Sequence, residues 1–145
     1  FTHTSVHDGQ VFLDHLNGGG RKISDRIPIY SMFIDPPLAR VGMSESEARE
    51  SGRSVLVATR EMSAINRARE KDETNGLIKL VVEKGSNLIL GAAIFGVGGD
   101  EIIGMIALAM QAELPYTKLQ ETVIPHPTVS ELIPWIFDDL KPLAP

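Results

Sequence analysis

The stretch LIKLVVEKGSNLILGAAIFGVG, residues 77–98, constrains the fold more than any other part of the chain. Two apolar runs rich in β-branched residues flank Lys84-Gly85-Ser86-Asn87. A short polar, glycine-containing insert between such runs marks a β-hairpin, and hence an antiparallel pair.

The segments around it extend that reading. IYSMFI (residues 29–34) reads as a buried strand, stopped at Asp35-Pro36-Pro37 because proline cannot donate to a ladder. SVLVATREM (residues 54–62) reads as a second β-branched strand. Between them, Ser44 and Glu47 have capping-box spacing, and Gly52 follows the last turn of the short helix they open. After the hairpin, Asp100 is placed to cap a helix running through Ala112. Thr117 with Gln120, and Thr128 with Glu131, offer two further capping boxes. Strands first and helices afterwards predict an α+β fold: an antiparallel sheet with helices packed on one face.

The apolar positions of the helix over residues 100–114 cover most of its circumference: Ile102, Ile103, Met105, Ile106, Leu108, Met110 and Leu114. A helix apolar all round is buried all round. It is therefore either a central core helix or a helix whose second face meets a partner subunit.

At the other end, Val6, Val11, Phe12, Leu13 and Leu16 suit one amphipathic helix, which Asn17-Gly18-Gly19-Gly20 ends through a left-handed cap. A polar linker follows over residues 21–26, so the domain boundary is expected near Asp25, dividing residues 1–25 from residues 26–145. The chain does not begin with methionine and is expected to be a piece of a longer protein.

Bulk properties exclude several classes. With 43% hydrophobic and 23% charged residues, the 145-residue chain has the composition of a globular protein of one domain with a short appendage. A net charge of −5, with no basic stretch long enough to track a phosphate backbone, argues against a nucleic-acid partner. Cysteine is absent, which removes disulfides, cysteine zinc sites and a thiol nucleophile from this chain. The most apolar run, residues 102–110, is about half the length of a bilayer span. The first ten residues lack the basic and apolar regions of a signal peptide. No membrane partner and a cytoplasmic location are therefore expected.

Candidate sites are few. GVGGDEIIG (residues 96–104) is glycine-rich before a helix, but has neither the GxGxxG spacing nor a following Lys-Ser/Thr, and reads as a strand-to-helix turn. His3 and His7 share a helical face, yet only Asp8 is near in sequence, so no metal site is expected. No GxSxG is present, and Ser130, although close to His126, lies inside a helical turn, which argues against a serine hydrolase. There remains VIPHPTVSEL (residues 123–132), where His126 stands between two prolines and Glu131 follows. Read structurally, Glu131 caps a helix and the prolines set the backbone. Read chemically, a carboxylate on one imidazole nitrogen fixes the tautomer and leaves the other nitrogen as a general acid/base. That reading needs a reacting thiol or hydroxyl from outside this chain.

The segment His126-Pro127-Thr128-Val129-Ser130-Glu131 resembles the His-Pro-Thr-x-x-Glu motif near the C-terminus of the flavin-dependent pyridine nucleotide–disulfide oxidoreductases. Other segments occur in that family's order. FIDPPLARVGMSESEA (residues 33–48) is similar to the start of its interface domain, residues 66–96 to the strands that follow, and GVGGDEII to the turn into its interface helix. The likeness covers about residues 27–140, and residues 1–18 resemble the last helix of the preceding FAD domain.

The resemblance implies a homodimerising domain whose His126, oriented by Glu131, serves as acid/base in the partner subunit's thiol–disulfide exchange. It implies a cis bond between His126 and Pro127, contact of both residues with the partner's flavin, and Thr2 near the flavin of its own subunit. FAD and NAD(P)H would be bound by upstream domains, which would also carry the redox-active cysteines. The piece alone is expected to be inactive and not to retain FAD. The alternative is a non-catalytic dimerisation or scaffold module of the same fold. Pro134 departs from the pattern, because proline inside a helix kinks it unless it falls in the first turn.

Overall fold

The structure is a computed structural model and describes residues 1–143. Ala144 and Pro145, the end of the expected domain of residues 26–145, lie outside the described residues.

Among the described residues, six strands form one antiparallel sheet. They are β1 (Ile29–Met32), β2 (Leu38–Gly42), β3 (Val55–Glu61), β4 (Leu77–Glu83), β5 (Ile89–Phe95) and β6 (Lys141–Pro142), in the order β1-β2-β5-β4-β3-β6. The hairpin is β4–β5, with Leu77 opposite Phe95, Leu80 opposite Ala92, and a register shift between Val81 and Val82. Its connection turns through Gly85 at φ 105° and Asn87 at φ 62°, the conformations that glycine and asparagine tolerate best.

Alternation along the strands divides the sheet into two faces. Ile78, Leu80, Val82, Ala92 and Ile94 point into the main core, with Ala39 and Val41 from β2. Helix α4 (Gly99–Gln111) lies across β5 and β2, burying Ile102, Ile103, Ile106 and Ala109. Beyond it, α5 (Tyr116–Gln120) and α6 (Leu132–Ile136) close the same core with Leu119, Leu132, Ile133 and Ile136, joined by Phe137 from the turn that follows α6. The short α2 (Glu45–Glu50) covers part of the opposite face, where Ala48 meets Val55, Val57 and Val81, and the equally short α3 (Asn66–Glu70), between β3 and β4, buries Ala68 in the main core. The architecture is the expected α+β one, with the main helical layer on one face.

Several local expectations are met in detail. Ser44 and Glu47 form both bonds of a capping box: the Glu47 N–H donates to Ser44 Oγ at 3.2 Å, and the Ser44 N–H to Glu47 Oε2 at 2.6 Å. Helix α1 (Thr2–Leu16) ends at Asn17, where Gly18 at φ 81° turns the chain. The Gly18 and Gly19 amides then return to the carbonyls of His15 and Asp14.

Other expectations are corrected. Asp100 does not cap α4. Gly98, at φ 70°, is the N-cap, because the chain reverses sharply out of β5 and only glycine reaches that conformation cheaply. Asp100 instead sits in the first turn, where its charge complements the helix N-terminus. Helix α4 ends at Gln111 with the expected last residue, Ala112, as its C-cap, and Leu114 lies beyond it because Glu113 takes up the left-handed position at φ 51°. Pro115, not Thr117, precedes α5, and the side chain of Gln120 is used elsewhere.

Strand β1 is not a buried strand: it forms an edge of the sheet, it is half-exposed, and Phe33 and Ile34 project beyond its end. The all-round apolar pattern of α4 also resolves into two faces. Glu101, Gly104, Leu108 and Gln111 point outward, and Leu108 is 70% exposed. Among the described residues no helix is long and apolar enough to cross a membrane.

Candidate functional site

Between α5 and α6 the chain runs without regular structure through Val123-Ile124-Pro125-His126-Pro127-Thr128. Proline at 125 and 127 cannot donate a backbone hydrogen bond, which keeps this segment out of a helix or central strand. The His126–Pro127 bond is cis, as expected. Thr128 fastens the turn by donating its hydroxyl to the Pro125 carbonyl at 2.8 Å, and its Oγ1 lies 3.1 Å from Ser130 Oγ.

Glu131 then divides its carboxylate. Oε2 accepts the Thr128 N–H at 2.9 Å, and Oε1 lies 2.8 Å from His126 Nδ1. Only half of the predicted third capping box is therefore made. The glutamate reaches back to the backbone, while the threonine hydroxyl turns to Pro125.

What keeps Glu131 in place lies after it. Pro134 is the third residue of α6, inside the first turn, where its missing N–H costs no intrahelical bond, so the helix starts afresh rather than kinking. Ile133 and Ile136 are fully buried and anchor α6 in the core. The turn that follows is tied on two sides. Arg60 of β3 binds Asp139 at 2.7–2.8 Å, and Gln120 of α5 donates to Asp138 at 2.9 Å.

The electrostatics follow from this geometry. The hydrogen bond from Glu131, and then its charge, raise the His126 pKa above the ordinary imidazole value. Glu131 is held below the usual carboxylate range, first by the His126 hydrogen bond and then by the Thr128 N–H. The imidazole side chain is 65% exposed and the carboxylate side chain 22%. His126 Nε2 has no hydrogen-bond partner among the described residues. With Nδ1 held by a carboxylate, Nε2 is the nitrogen able to give or take a proton.

The remaining candidates lie elsewhere. Thr2, in the first turn of α1, lines a trough of about 500 Å³ with Phe1, Tyr30, Phe33 and Ile103, apart from the His126–Glu131 pair. Helix α1 has no side-chain cap and no acidic residue in its first turn, so its N–H groups there are open to an acceptor oxygen. His3 bonds to the Ile29 carbonyl at 2.8 Å, and His7 lies 3.4 Å from the Arg26 guanidinium, which also holds Asp8 and the Thr4 carbonyl. Both histidines thus help fasten α1 to the sheet domain. Among the described residues no three His, Cys, Asp or Glu side chains converge as metal ligands.

Neither Arg60 nor Trp135 carries a local sequence signal, and Gln120, expected in a capping box with Thr117, binds Asp138 instead. Arg60 and Asp139 are 79 positions apart, and no local pattern joins them.

Residues 29–137 match the family model described as pyridine nucleotide-disulphide oxidoreductase, dimerisation domain. The probable pyridine nucleotide-disulfide oxidoreductase RclA of Escherichia coli K12 is 38% identical over 144 residues, covering 97% of this chain and 32% of its own. Dihydrolipoyl dehydrogenase of Staphylococcus aureus is 30% identical over 131 residues, covering 90% and 28%. The solved structure of the E. coli HOCl-induced flavoprotein disulfide reductase RclA superposes with a TM-score of 0.89 at 39% identity, over 95% of this chain and 32% of that one. RclA has also been solved as a Cu(II) complex, with a TM-score of 0.88. The chain therefore spans about a third of the length of the curated relatives it matches.

Proposed function

The chain belongs to the pyridine nucleotide–disulphide oxidoreductase dimerisation-domain family, and from that premise we propose that it is the interface domain of a homodimeric, FAD- and NAD(P)H-dependent disulfide reductase. In this reading His126 is the acid/base delivered to the partner subunit's active site, and Glu131 orients it. The observation that carries the reading is the divided carboxylate of Glu131. One oxygen is fixed by the Thr128 N–H and the other holds His126 Nδ1, which aims Nε2 outward.

Reducing a disulfide to two thiols consumes two electrons and two protons. A nicotinamide hydride brings both electrons and one proton, and the second proton comes from solvent. Bound FAD would supply the relay of the electron pair from nicotinamide to disulfide. The part of this chain is proton management. Imidazolium Nε2 donates to the departing thiolate as the S–S bond breaks, and neutral Nε2 accepts a proton from the next attacking thiol. Glu131 stabilises the charged form and holds the ring while both events occur.

The open first turn of α1 and the apolar trough beside Thr2 fit one edge of a flat ring bearing carbonyl oxygens. Nothing in the sequence fits the phosphates, since the glycine-rich dinucleotide loop is missing, so most of the FAD site and the cysteine pair belong to other parts of the full-length protein. Residues 1–25 would then be the last helix and linker of an FAD domain, and residues 26–145 the interface domain. The exposure of Phe12, Leu13 and Leu16 on α1 supports that division, because they are left for another part of the protein to cover.

The test uses the full-length protein. His126→Gln should slow disulfide turnover by about 10²–10⁴, while NAD(P)H still reduces the flavin in stopped-flow measurements. Equal loss of both steps would remove His126 from the proposed role. The Cu(II) complex of RclA favours a second reading, in which the acceptor is a metal ion; retained metal reduction without any disulfide turnover would select it.

A further inference from the structure

The chain contains Asn-Gly at two places, Asn17-Gly18 and Asn75-Gly76. Asparagine is thermolabile, most of all ahead of glycine, where no side chain shields the following backbone nitrogen. The fold treats the two pairs differently. Asn17 is the C-cap of α1: its side-chain amide donates to the Leu13 carbonyl at 2.8 Å, and the Gly18 N–H donates to the His15 carbonyl at 3.1 Å. Asn75 is exposed and lies outside regular structure, just ahead of β4. Neither its side chain nor the Gly76 N–H makes a hydrogen bond among the described residues.

Glycine at position 76 is nonetheless demanded by the packing. Its φ is 115°, and a Cβ there would stand 1.9 Å from the Phe95 carbonyl oxygen of β5. Its own carbonyl accepts the Met62 N–H at 2.9 Å, which closes the connection from β3 to β4 at its base. That connection carries α3, and its Ala64, Ile65 and Asn66 line a crevice of about 180 Å³ with Glu131, Leu132 and Trp135. The close approach to β5 thus requires the one residue type that leaves Asn75 open to attack.

We propose that Asn75 is a site of spontaneous deamidation, and that its isoaspartyl product releases the Met62–Gly76 tie behind α6. Hydroxide removes the Gly76 amide proton, and that nitrogen attacks the side-chain carbonyl carbon of Asn75. A new C–N bond forms, the bond to the side-chain nitrogen breaks, and ammonia leaves. Water then opens the cyclic succinimide at either carbonyl, giving aspartate or isoaspartate with no change of oxidation state. In isoaspartate the main chain runs through the side-chain methylene. It is therefore longer just where Gly76 is pinned between Met62 and Phe95.

The test ages the full-length protein in mildly alkaline buffer at physiological temperature and follows both asparagine peptides by mass spectrometry. Asn75 should deamidate about tenfold faster than Asn17, whose reaction must first break two hydrogen bonds. Hydrogen exchange should show the Met62 amide losing protection as isoaspartate accumulates. Asn75→Gln should abolish both changes. Freshly prepared Asn75→Asp, which carries the charge on a normal main chain, should keep the Met62 protection. Equal or faster reaction at Asn17, or an unreacted Asn75, would overturn the site. A protected Met62 amide in protein rich in isoaspartate, or lost protection in fresh Asn75→Asp, would overturn the release of the tie by chain lengthening.

Discussion

His126 and Glu131, five positions apart, are joined by a 2.8 Å contact between Nδ1 and Oε1 that closes a turn containing the cis His126–Pro127 bond. The same glutamate closes that turn through the Thr128 N–H, so one side chain both shapes the loop and favours the charged form of the imidazole.

That double use has a pH signature. The His126 pKa is raised from 6.5, so its contribution to stability is complete below 6.5 and is lost as pH rises through the raised value. The Glu131 pKa is lowered from 4.5, so its contribution is complete above 4.5 and is lost as pH falls through the lowered value. Both contributions are therefore present between 4.5 and 6.5. An NMR titration of the His126 ring should give a midpoint above 6.5, and Glu131→Gln should move it down. An unmoved midpoint would show that the contact does not persist in solution.

Helix α4 offers a contrast between two residues half a turn apart. Ile106 is fully buried against the sheet, and Ile106→Ala should cost about 2–5 kcal/mol in denaturant unfolding. Leu108 points outward, and Leu108→Ala should change the stability of the 145-residue chain by less than about 0.5 kcal/mol. In the full-length protein Leu108→Glu should weaken self-association in sedimentation. An undisturbed dimer would place the interface off this face.

The capping box of α2 is a self-contained stability element remote from His126. Ser44→Ala removes the acceptor of the Glu47 N–H and should cost about 1 kcal/mol, read as a lower midpoint of unfolding. The His126 titration should be unaffected, which makes this variant a control for the site variants.

Glu113 occupies the left-handed position after α4 at φ 51°, where a side chain costs roughly 1–2 kcal/mol relative to the right-handed region. Glu113→Gly should therefore raise stability by about 0.5–1 kcal/mol, after the entropic cost of glycine. A fall in melting temperature would mean that the Glu113 side chain makes a compensating contact.

Features written within a few residues were legible before folding was considered. The β4–β5 hairpin, the Ser44–Glu47 box, the glycine stop after α1 and the His126–Glu131 spacing all appear where the sequence places them. The failures have one character. Asp100 was eligible to cap α4, but the reversal out of β5 needed a residue at φ 70°, and Gly98 took the position. IYSMFI looked buried because it is apolar, yet whether a strand lies inside a sheet or at its edge depends on which other strands pair with it.

By itself, the sequence determined the local elements and the family motif, because propensities, caps and turns act through bonds spanning a few residues. Tertiary structure alone decided which apolar side chains would be covered. It left Leu108 and Trp135 in solvent while burying Ile106 and Ile136, since burial depends on elements distant in the chain. It also brought Arg60 to Asp139 and Gln120 to Asp138, the two ties that secure the turn following α6, the helix Glu131 opens. Such pairings are selected by the shape of the packed core, and no local spacing records them.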